Sequence, residues 1–286
     1  MGEQAEGRIA DAPAAARVSD APPAARIPDA PIGARVPDAP IGERVPDAPV
    51  GARVPKYYRL KQELRQEIGQ LSPGMAIPTE RVLSTRFAVS RTTVRQALHE
   101  LVVEGQLQRF QGRGTFVAPP KLTQTLQLTS YTQDIAASGR RPTSRLLDAA
   151  VVPAPSDVAT RLELRVDAPV QRLERLRLAD DEPMAIEAVY LDAERFAGVG
   201  DAMLHSSSLY ALLREQYATV LVRAEETIET VLASPSEAGM LDTGTGLPLL
   251  LLTRTSWDEQ DRPVEYVRSL YRGDRYRFVA NLSRPA

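Results

Sequence analysis

The chain has 286 residues, 43% hydrophobic and 25% charged, so we expect globular cores over most of it and enough length for two domains. Cysteine is absent and only His99 and His205 occur, which excludes disulfides and thiolate metal sites and disfavours a Ser-His-Asp triad. No apolar run approaches the roughly 18 residues of a membrane span. The first residues also lack the basic and apolar regions of a signal peptide. We therefore expect a soluble, cytoplasmic protein that holds neither a metal nor a cofactor and makes no membrane contact.

Residues 1–55 are built on a nine-residue repeat. The units begin at Asp11, Asp20, Asp29, Asp38 and Asp47, and each contains proline but almost no large apolar residue. Such short units cannot bury a core and are too short to stack as a solenoid. We expect a disordered tail. An interaction or DNA-tethering arm that uses the arginine of each unit remains open as the alternative.

Residues 56–118 form a basic module, because residues 56–117 carry a net charge of +5 whereas residues 118–286 carry −5. Apolar residues at helical spacing predict an amphipathic helix over 57–71. Two shorter helices follow, over 80–87 with Thr79 as N-cap and over 91–104 between Ser90 and Gly105. This is the layout of a helix-turn-helix whose second helix enters the major groove.

A small hairpin is expected after Gly105, with strands around a turn at residues 111–114. Glycines on both sides of Arg113 allow the backbone of the turn to approach another surface closely and present one guanidinium. A narrow minor groove beside the recognition helix would receive it.

The stretch from Pro78 to Val117 resembles the winged helix-turn-helix of the GntR family of bacterial transcription regulators, through its ER, SR-TTVRQAL, EG and GRGTFV elements. The resemblance implies DNA contacts from two groups of residues. Those on the helices are Arg81, Arg91, Thr92, Thr93 and Arg95, and those on the wing are Gln111, Gly112 and Arg113. Arginine is the best bidentate reader of guanine, and threonine can contact a phosphate or a thymine methyl, so the chemistry agrees. For Arg86 and Arg109 we prefer a solvated surface.

Strands and short helices alternate after residue 119, which we expect to be the start of a linker that ends at 128. Helices are expected over 129–138, 156–164, 206–217 and 236–242, and strands over 144–152, 169–180, 183–192, 222–233, 248–258, 263–272 and 275–282. Consecutive hairpins predict an antiparallel sheet with helices on one side and a last strand that closes it. The fold class is α+β, with residues 129–286 as a second domain.

Two arginines on one predicted strand indicate an anion site. Arg175 and Arg177 leave the same face, with Cα atoms roughly 6.5–7 Å apart, and two guanidinia this close repel unless an anion lies between them. Ser130 and Ser208 stand at predicted helix starts, where free N–H groups favour a phosphate. A plain ion pair between the arginines and Glu187 explains the spacing equally well.

The segments LTSYTQD, ERLRLADDEPMAIE, SSLY and VEYVRSLYRGDRY resemble the UTRA effector domain of HutC-type GntR regulators, which has a chorismate-lyase-like fold. They are most similar to the N-acetylglucosamine-utilisation repressors, the DasR/NagR group. The resemblance implies a phosphate site made of Ser130, Tyr131, Thr132, Arg175, Arg177, Ser208 and Tyr210. It implies sugar contacts from Glu187, Glu265 and Tyr271. The repeat tail lies outside the resemblance.

These features predict a homodimeric transcription repressor that binds a palindromic operator in double-stranded DNA. Glucosamine 6-phosphate or N-acetylglucosamine 6-phosphate would modulate DNA binding and so control amino-sugar uptake and metabolism. A different small-molecule effector is one alternative. A sugar-phosphate enzyme that uses Glu187 and Glu265 is another, which the helix-turn-helix disfavours. A purely architectural DNA-binding protein is a third, which the size of the second domain disfavours.

Overall fold

The computed structural model describes residues 54–110, 112–206, 208–282 and 284. Residues 1–53 of the expected tail and the expected wing contact Gln111 lie outside the described residues. Two modules follow one another along the described chain. They are a small helical module with a hairpin and a larger domain built on one antiparallel sheet.

The first module is a winged helix-turn-helix, as the sequence predicts. Its elements are α1 Lys56–Ile68, α2 Glu80–Arg86, α3 Arg91–Val103, β1 Leu107–Phe110 and β2 Gly114–Val117. The Ser90 side chain accepts a hydrogen bond from the backbone N–H of Thr93 at 3.1 Å and so begins α3. Apolar residues of all three helices and of β1, among them Leu64, Leu83, Leu98 and Leu107, bury one another in a single core. This core holds α3 with its first turns exposed.

The second module is organised around a six-stranded antiparallel sheet. Its strands are β4 Pro142–Pro153, β5 Pro169–Ala179, β6 Glu182–Asp192, β7 Leu221–Leu232, β8 Pro248–Asp258 and β9 Pro263–Arg272. Their order is β4-β5-β6-β9-β8-β7. The helices are α4 Tyr131–Ala137, α5 Ser156–Arg161, α6 Val199–Met203, α7 Leu209–Tyr217 and α8 Pro235–Met240. The expected α+β class and antiparallel sheet are confirmed.

The last strand does not close the sheet, which corrects the expectation for residues 275–282. β10, Tyr276–Val279, instead pairs in parallel with β3, Leu122–Thr125, inside the stretch expected to be a linker. The reason is topological. β9 is already paired with β6 on one side and β8 on the other, so a strand that directly follows it finds no free edge beside it. β10 therefore leaves the large sheet.

Helices cover both faces of the sheet rather than one, a second correction. On β5, Leu173 packs with α6 and α7, while Leu176 points to the opposite face and packs with α8. The central strands carry apolar side chains at both parities, so each face must be covered to remove that surface from water. We name the face toward α4, α6 and α7 the cleft face.

The helix-turn-helix module contacts the larger domain at the end of α3. Gly105 has a φ of +74°, and a Cβ there would overlap the backbone carbonyl oxygen of Asp274. Nearby, the Nζ of Lys121 donates to the carbonyl oxygen of Gly273 at 2.6 Å. Within the described residues, no helix is long and apolar enough to cross a membrane.

Candidate functional site

The predicted DNA contacts on the helices form one exposed surface. Arg91, Thr92 and Arg95 lie on the first turns of α3 and are exposed, as is Arg81 on α2. Thr93 is half-buried, and its hydroxyl lies 2.9 Å from the Oγ of Ser90, so it takes part in the cap. The positive end of the α3 dipole and the exposed guanidinia of Arg91 and Arg95 lie on the same first turns of α3, an arrangement suited to a phosphate backbone.

Glu80 connects this surface to the wing, a role that the sequence reading missed. Its carboxylate binds Arg95 at 3.1 Å and Arg109 at 2.9 Å. The hydrogen bond from Arg95 is the main reason that the pKa of Glu80 is lowered. Arg109 is exposed, as expected, and it also forms an ion pair with Glu80. Glu80, the first residue of α2, thus links Arg95 of α3 with Arg109 of β1.

The wing presents Gly112 and Arg113 at an exposed tip. The Arg113 guanidinium lies 5.6 Å from the centre of the Phe110 ring, in a cation–π contact. Among the described residues, Arg81, Arg91 and Arg113 form no ion pair, which leaves their charge available to a nucleic acid. Helix and wing residues therefore remain predicted contacts, on a surface suited to them.

A second candidate site lies on the cleft face of the sheet, between α4 and α7. It is lined by all seven predicted phosphate-binding residues, by Glu187 and Glu265, and by four further residues: Val189, Leu209, Arg254 and Val267. The cavity between these side chains is about 20 Å³, room for about one water molecule. A neighbouring cavity of about 290 Å³ shares Ser130, Thr132, Ser208 and Tyr210 with it. We name the two cavities together the effector cleft.

Arg175, Arg177 and Glu187 form the floor of the effector cleft and are 2%, 5% and 5% exposed. Both guanidinia donate to the same carboxylate oxygen, Oε1 of Glu187, with Arg177 at 2.8 Å. Burial opposes ionisation of Glu187, but the two arginines outweigh it and hold its pKa at about 2. Burial and the neighbouring charge of Arg177 lower the pKa of Arg175 to about 10. The ion pair considered as the alternative is therefore present.

One carboxylate does not satisfy two buried guanidinia. In the described part of the chain, the Nε and Nη1 of Arg175 and the Nε of Arg177 are buried without a hydrogen-bond partner. A buried N–H without a partner costs roughly 1–3 kcal/mol, and more when the group is charged. The floor of the cleft therefore has unused donor capacity for an anion.

The neighbouring wall of the effector cleft is built on Glu265. It accepts hydrogen bonds from the Tyr210 hydroxyl at 2.7 Å and from the Ser256 hydroxyl at 2.9 Å. Burial and the Glu265 charge raise the pKa of Tyr210 well above its ordinary value, so its hydroxyl stays a proton donor. Arg254 lies 3.7 Å from both Glu265 and Glu226. This wall combines acceptors and donors of the kind that sugar hydroxyls need.

Arg254 is the cleft residue that sequence reasoning missed. Burial opposes its charge, but Tyr210, Glu265 and Glu226 outweigh it and raise the pKa of Arg254. The register that pairs Ser256 with Glu265 places Arg254 two residues away on the same face. Alternation along β8 places Arg254 on the same face as Ser256. That this face is the one with Glu265 could be recognised only once the register between β8 and β9 was known.

Three predicted residues have positions that qualify their expected roles. The hydroxyls of Ser130 and Ser208 accept hydrogen bonds from Gln133 N and Ala211 N, each at 3.3 Å, so they cap α4 and α7. Tyr271 does not line the cleft. Its ring packs 4.7 Å from that of Tyr276 in a buried cluster, and burial raises its pKa. No group of three or more metal-ligating side chains occurs among the described residues.

Known protein families match both modules. A family model described as bacterial regulatory proteins of the gntR family matches residues 56–117, and a UTRA domain model matches residues 137–277. The chain is 39% identical over 231 residues to the HTH-type transcriptional repressor NagR of Bacillus subtilis (strain 168), covering 80% of this chain and 95% of that protein.

A second relative supports the same assignment. The HTH-type transcriptional repressor PhnF of Mycolicibacterium smegmatis is 38% identical over 223 residues, covering 77% of this chain and 91% of that protein. The crystal structure of PhnF from Mycobacterium smegmatis matches with a TM-score of 0.56 at 35% identity, covering 78% of this chain and 99% of that chain. The chain belongs to the GntR family of bacterial regulatory proteins and is a transcriptional repressor with a UTRA domain rather than an enzyme.

Proposed function

We propose that this repressor binds a palindromic operator as a homodimer in the cytoplasm. A phosphorylated amino sugar, glucosamine 6-phosphate or N-acetylglucosamine 6-phosphate, binds the effector cleft and changes the affinity of the repressor for its operator. Residues 56–118 serve as the DNA-binding domain, 119–128 as the linker, 129–286 as the effector domain and 1–55 as the tail. The observation that carries the proposal is the pair of buried arginines with unused donors on the cleft floor.

A phosphate group fits these donors. Arg175 and Arg177 lie on one strand face, share a single carboxylate oxygen and have three nitrogen atoms without a hydrogen-bond partner in the described chain. A phosphate brings several acceptor oxygens and up to two negative charges, so it would satisfy both guanidinia. The cap hydroxyls of Ser130 and Ser208 border the same space. We assign the phosphate to this floor.

The sugar would occupy the neighbouring wall. Glu265, Tyr210 and Arg254 are buried or nearly so, and each has polar atoms that a hydroxyl, amino or acetamido group can meet. Polar groups held in place by one another fix the orientation of a ligand and exclude poor matches. The resemblance to amino-sugar-utilisation repressors supports this choice of sugar.

The neighbouring cavity, about 290 Å³, lies near the lower end of small-molecule sites, which measure about 300–1,000 Å³. The cavity over the arginines measures only about 20 Å³, so a phosphate there requires that part of the cleft to widen. Glu187 must therefore share or release its arginines, or α4 and α7 must separate. A ligand that binds the opened cleft better than the closed one shifts the population toward it. If the opened state changes the spacing of the two DNA-binding domains in a dimer, operator binding changes as well.

The test is operator binding followed by fluorescence anisotropy with purified full-length protein. Glucosamine 6-phosphate and N-acetylglucosamine 6-phosphate are titrated at fixed salt, with glucosamine and glucose 6-phosphate as matched controls. We expect a change in operator affinity for at least one phosphorylated amino sugar and none for glucosamine. Unchanged affinity at saturating ligand would contradict control by these sugars. Light scattering after size-exclusion chromatography checks the dimer.

A further inference from the structure

The stretch between the two modules, residues 119–128, is hydrogen-bonded to the effector domain. β3 lies within residues 119–128 and pairs along its whole length with β10. Two further backbone bonds extend this pairing, from Leu122 N to Arg275 O at 2.8 Å and from Leu126 N to Val279 O at 2.9 Å. The chain that leaves the DNA-binding module is therefore part of the effector domain before it reaches the cleft.

One face of β3 points at α4. On this face, Gln124 donates from Nε2 to Oδ2 of Asp134 at 2.6 Å. Thr129, at the end of the same stretch, donates to the other oxygen, Oδ1, also at 2.6 Å. Thr123 and Thr125 alternate with these positions and are exposed. Asp134 thus receives two short hydrogen bonds that hold β3 and the start of α4 together.

The same helix forms a wall of the effector cleft. Tyr131 is the first residue of α4 and lines the cleft. The Arg177 guanidinium lies 5.1 Å from the centre of its ring. On its other side, Tyr131 packs in a buried cluster with Leu122 of β3, Ile135 and Tyr276. The side chains therefore run in unbroken contact from the arginine floor through α4 to β3.

We propose that Asp134 and Gln124 couple the effector cleft to the DNA-binding module. This inference rests on the proposed function, because it explains how occupancy of that cleft reaches the operator-binding surface. When a ligand on Arg177 displaces Tyr131 and the start of α4, the Gln124–Asp134 hydrogen bond carries β3 along with the helix. β3 begins five residues after the last residue of the wing hairpin, Val117, so its displacement moves the DNA-binding module.

The first test needs no ligand. Gln124→Met removes the donor and keeps the length of the side chain, while Gln127→Met makes the same change at an exposed position whose side chain lies outside these contacts. Hydrogen exchange of the full-length protein measures the amides of residues 131–137. We expect those amides to exchange roughly tenfold faster in Gln124→Met and at the wild-type rate in Gln127→Met. A wild-type rate in Gln124→Met would overturn the coupling whatever the effector is.

The second test measures coupling directly, with glucosamine 6-phosphate as the probe. Allosteric factors between two ligands are typically about 5–150-fold, so we expect Gln124→Met and Asp134→Ala to reduce the effect of the sugar on operator affinity at least about threefold. The separate affinities for sugar and for operator are expected to stay near wild type. An unreduced effect with both affinities intact would refute the proposal. If glucosamine 6-phosphate leaves the operator affinity of the wild-type protein unchanged, the result contradicts the proposed effector. The hydrogen-exchange experiment then still tests the coupling between Gln124 and α4.

Discussion

Arg177 donates a hydrogen bond to Glu187 over 2.8 Å, on the buried floor of the effector cleft. The same carboxylate oxygen also accepts from Arg175. Removing one partner of a buried ion pair leaves an uncompensated charge, whereas an incoming anion can replace that partner. Glu187 is therefore the counter-charge of both arginines, and in the proposed function an effector phosphate would compete with it for them.

Arg177→Gln is expected to weaken binding of glucosamine 6-phosphate by roughly 10–150-fold, because hydrogen bonds to a charged group contribute about 1.5–3 kcal/mol. Isothermal titration calorimetry measures the affinity. The matched control is Arg172→Gln on the same strand, since Arg172 pairs with Asp148 and does not line the cleft. Equal losses in the two variants would argue against a phosphate at this floor.

Glu187 gives the folded protein a pH-dependent stability. Its pKa is held at about 2, below its ordinary value of 4.5. A lowered pKa means that the contribution is fully present above about pH 4.5 and is lost as the pH falls toward 2. Urea unfolding between pH 3 and pH 7 should therefore show that the free energy of unfolding falls more steeply toward acid pH in wild type than in Glu187→Gln. An identical decline in both proteins would exclude Glu187 as the source.

At pH 7 the same variant tests what the carboxylate does for the arginines. Glu187→Gln is expected to lower the free energy of unfolding by roughly 3–5 kcal/mol, because Arg175 and Arg177 lose their buried counter-charge. Inorganic phosphate should then raise the melting temperature of Glu187→Gln more than that of wild type, since it supplies the missing charge. An equal phosphate effect in both proteins would indicate that the anion binds elsewhere.

Arg91→Ala is expected to lower operator affinity about tenfold or more, because Arg91 opens the exposed first turn of α3 and has no ion pair among the described residues. Arg86→Ala is the control. Arg86 is also exposed, but it lies at the end of α2 and binds Glu67 at 3.0 Å. Its loss should change affinity less than about threefold. Gel-shift titrations at fixed salt compare the two, and similar losses would place the recognition surface elsewhere.

Gly105→Ala is expected to destabilise the protein more than Gly139→Ala. Both glycines follow a helix with positive φ, +74° and +78°, so both variants pay about 1–2 kcal/mol for the backbone conformation. Only at Gly105 would the new Cβ also meet backbone, the carbonyl of Asp274, whereas the space at Gly139 is open. Chemical denaturation measures the difference. Equal losses in the free energy of unfolding would mean that the backbone at Asp274 moves aside without measurable loss of stability.

Local sequence patterns were sufficient where the determining forces are local. The N-cap of α3 at Ser90 and the left-handed Gly105 just beyond its end follow from capping chemistry, and the buried face of α3 follows from 3.6-residue periodicity. Strand parity likewise placed Arg175 and Arg177 on one face. Such features depend on neighbours within a few residues, so they can be read from one sequence.

The sequence alone thus determined the helix-turn-helix, the antiparallel class of the second domain and the alignment of the two arginines. Only the tertiary structure decided which side chains surround those arginines. Glu187, Glu265 and Arg254 come from three other strands, and the register of these strands cannot be predicted from local patterns. The tertiary structure also decided that β10 pairs with β3, because β9 is enclosed on both sides in the assembled sheet. Long-range pairing is set by which edges and faces remain uncovered when all the elements pack, and that is a property of the whole fold.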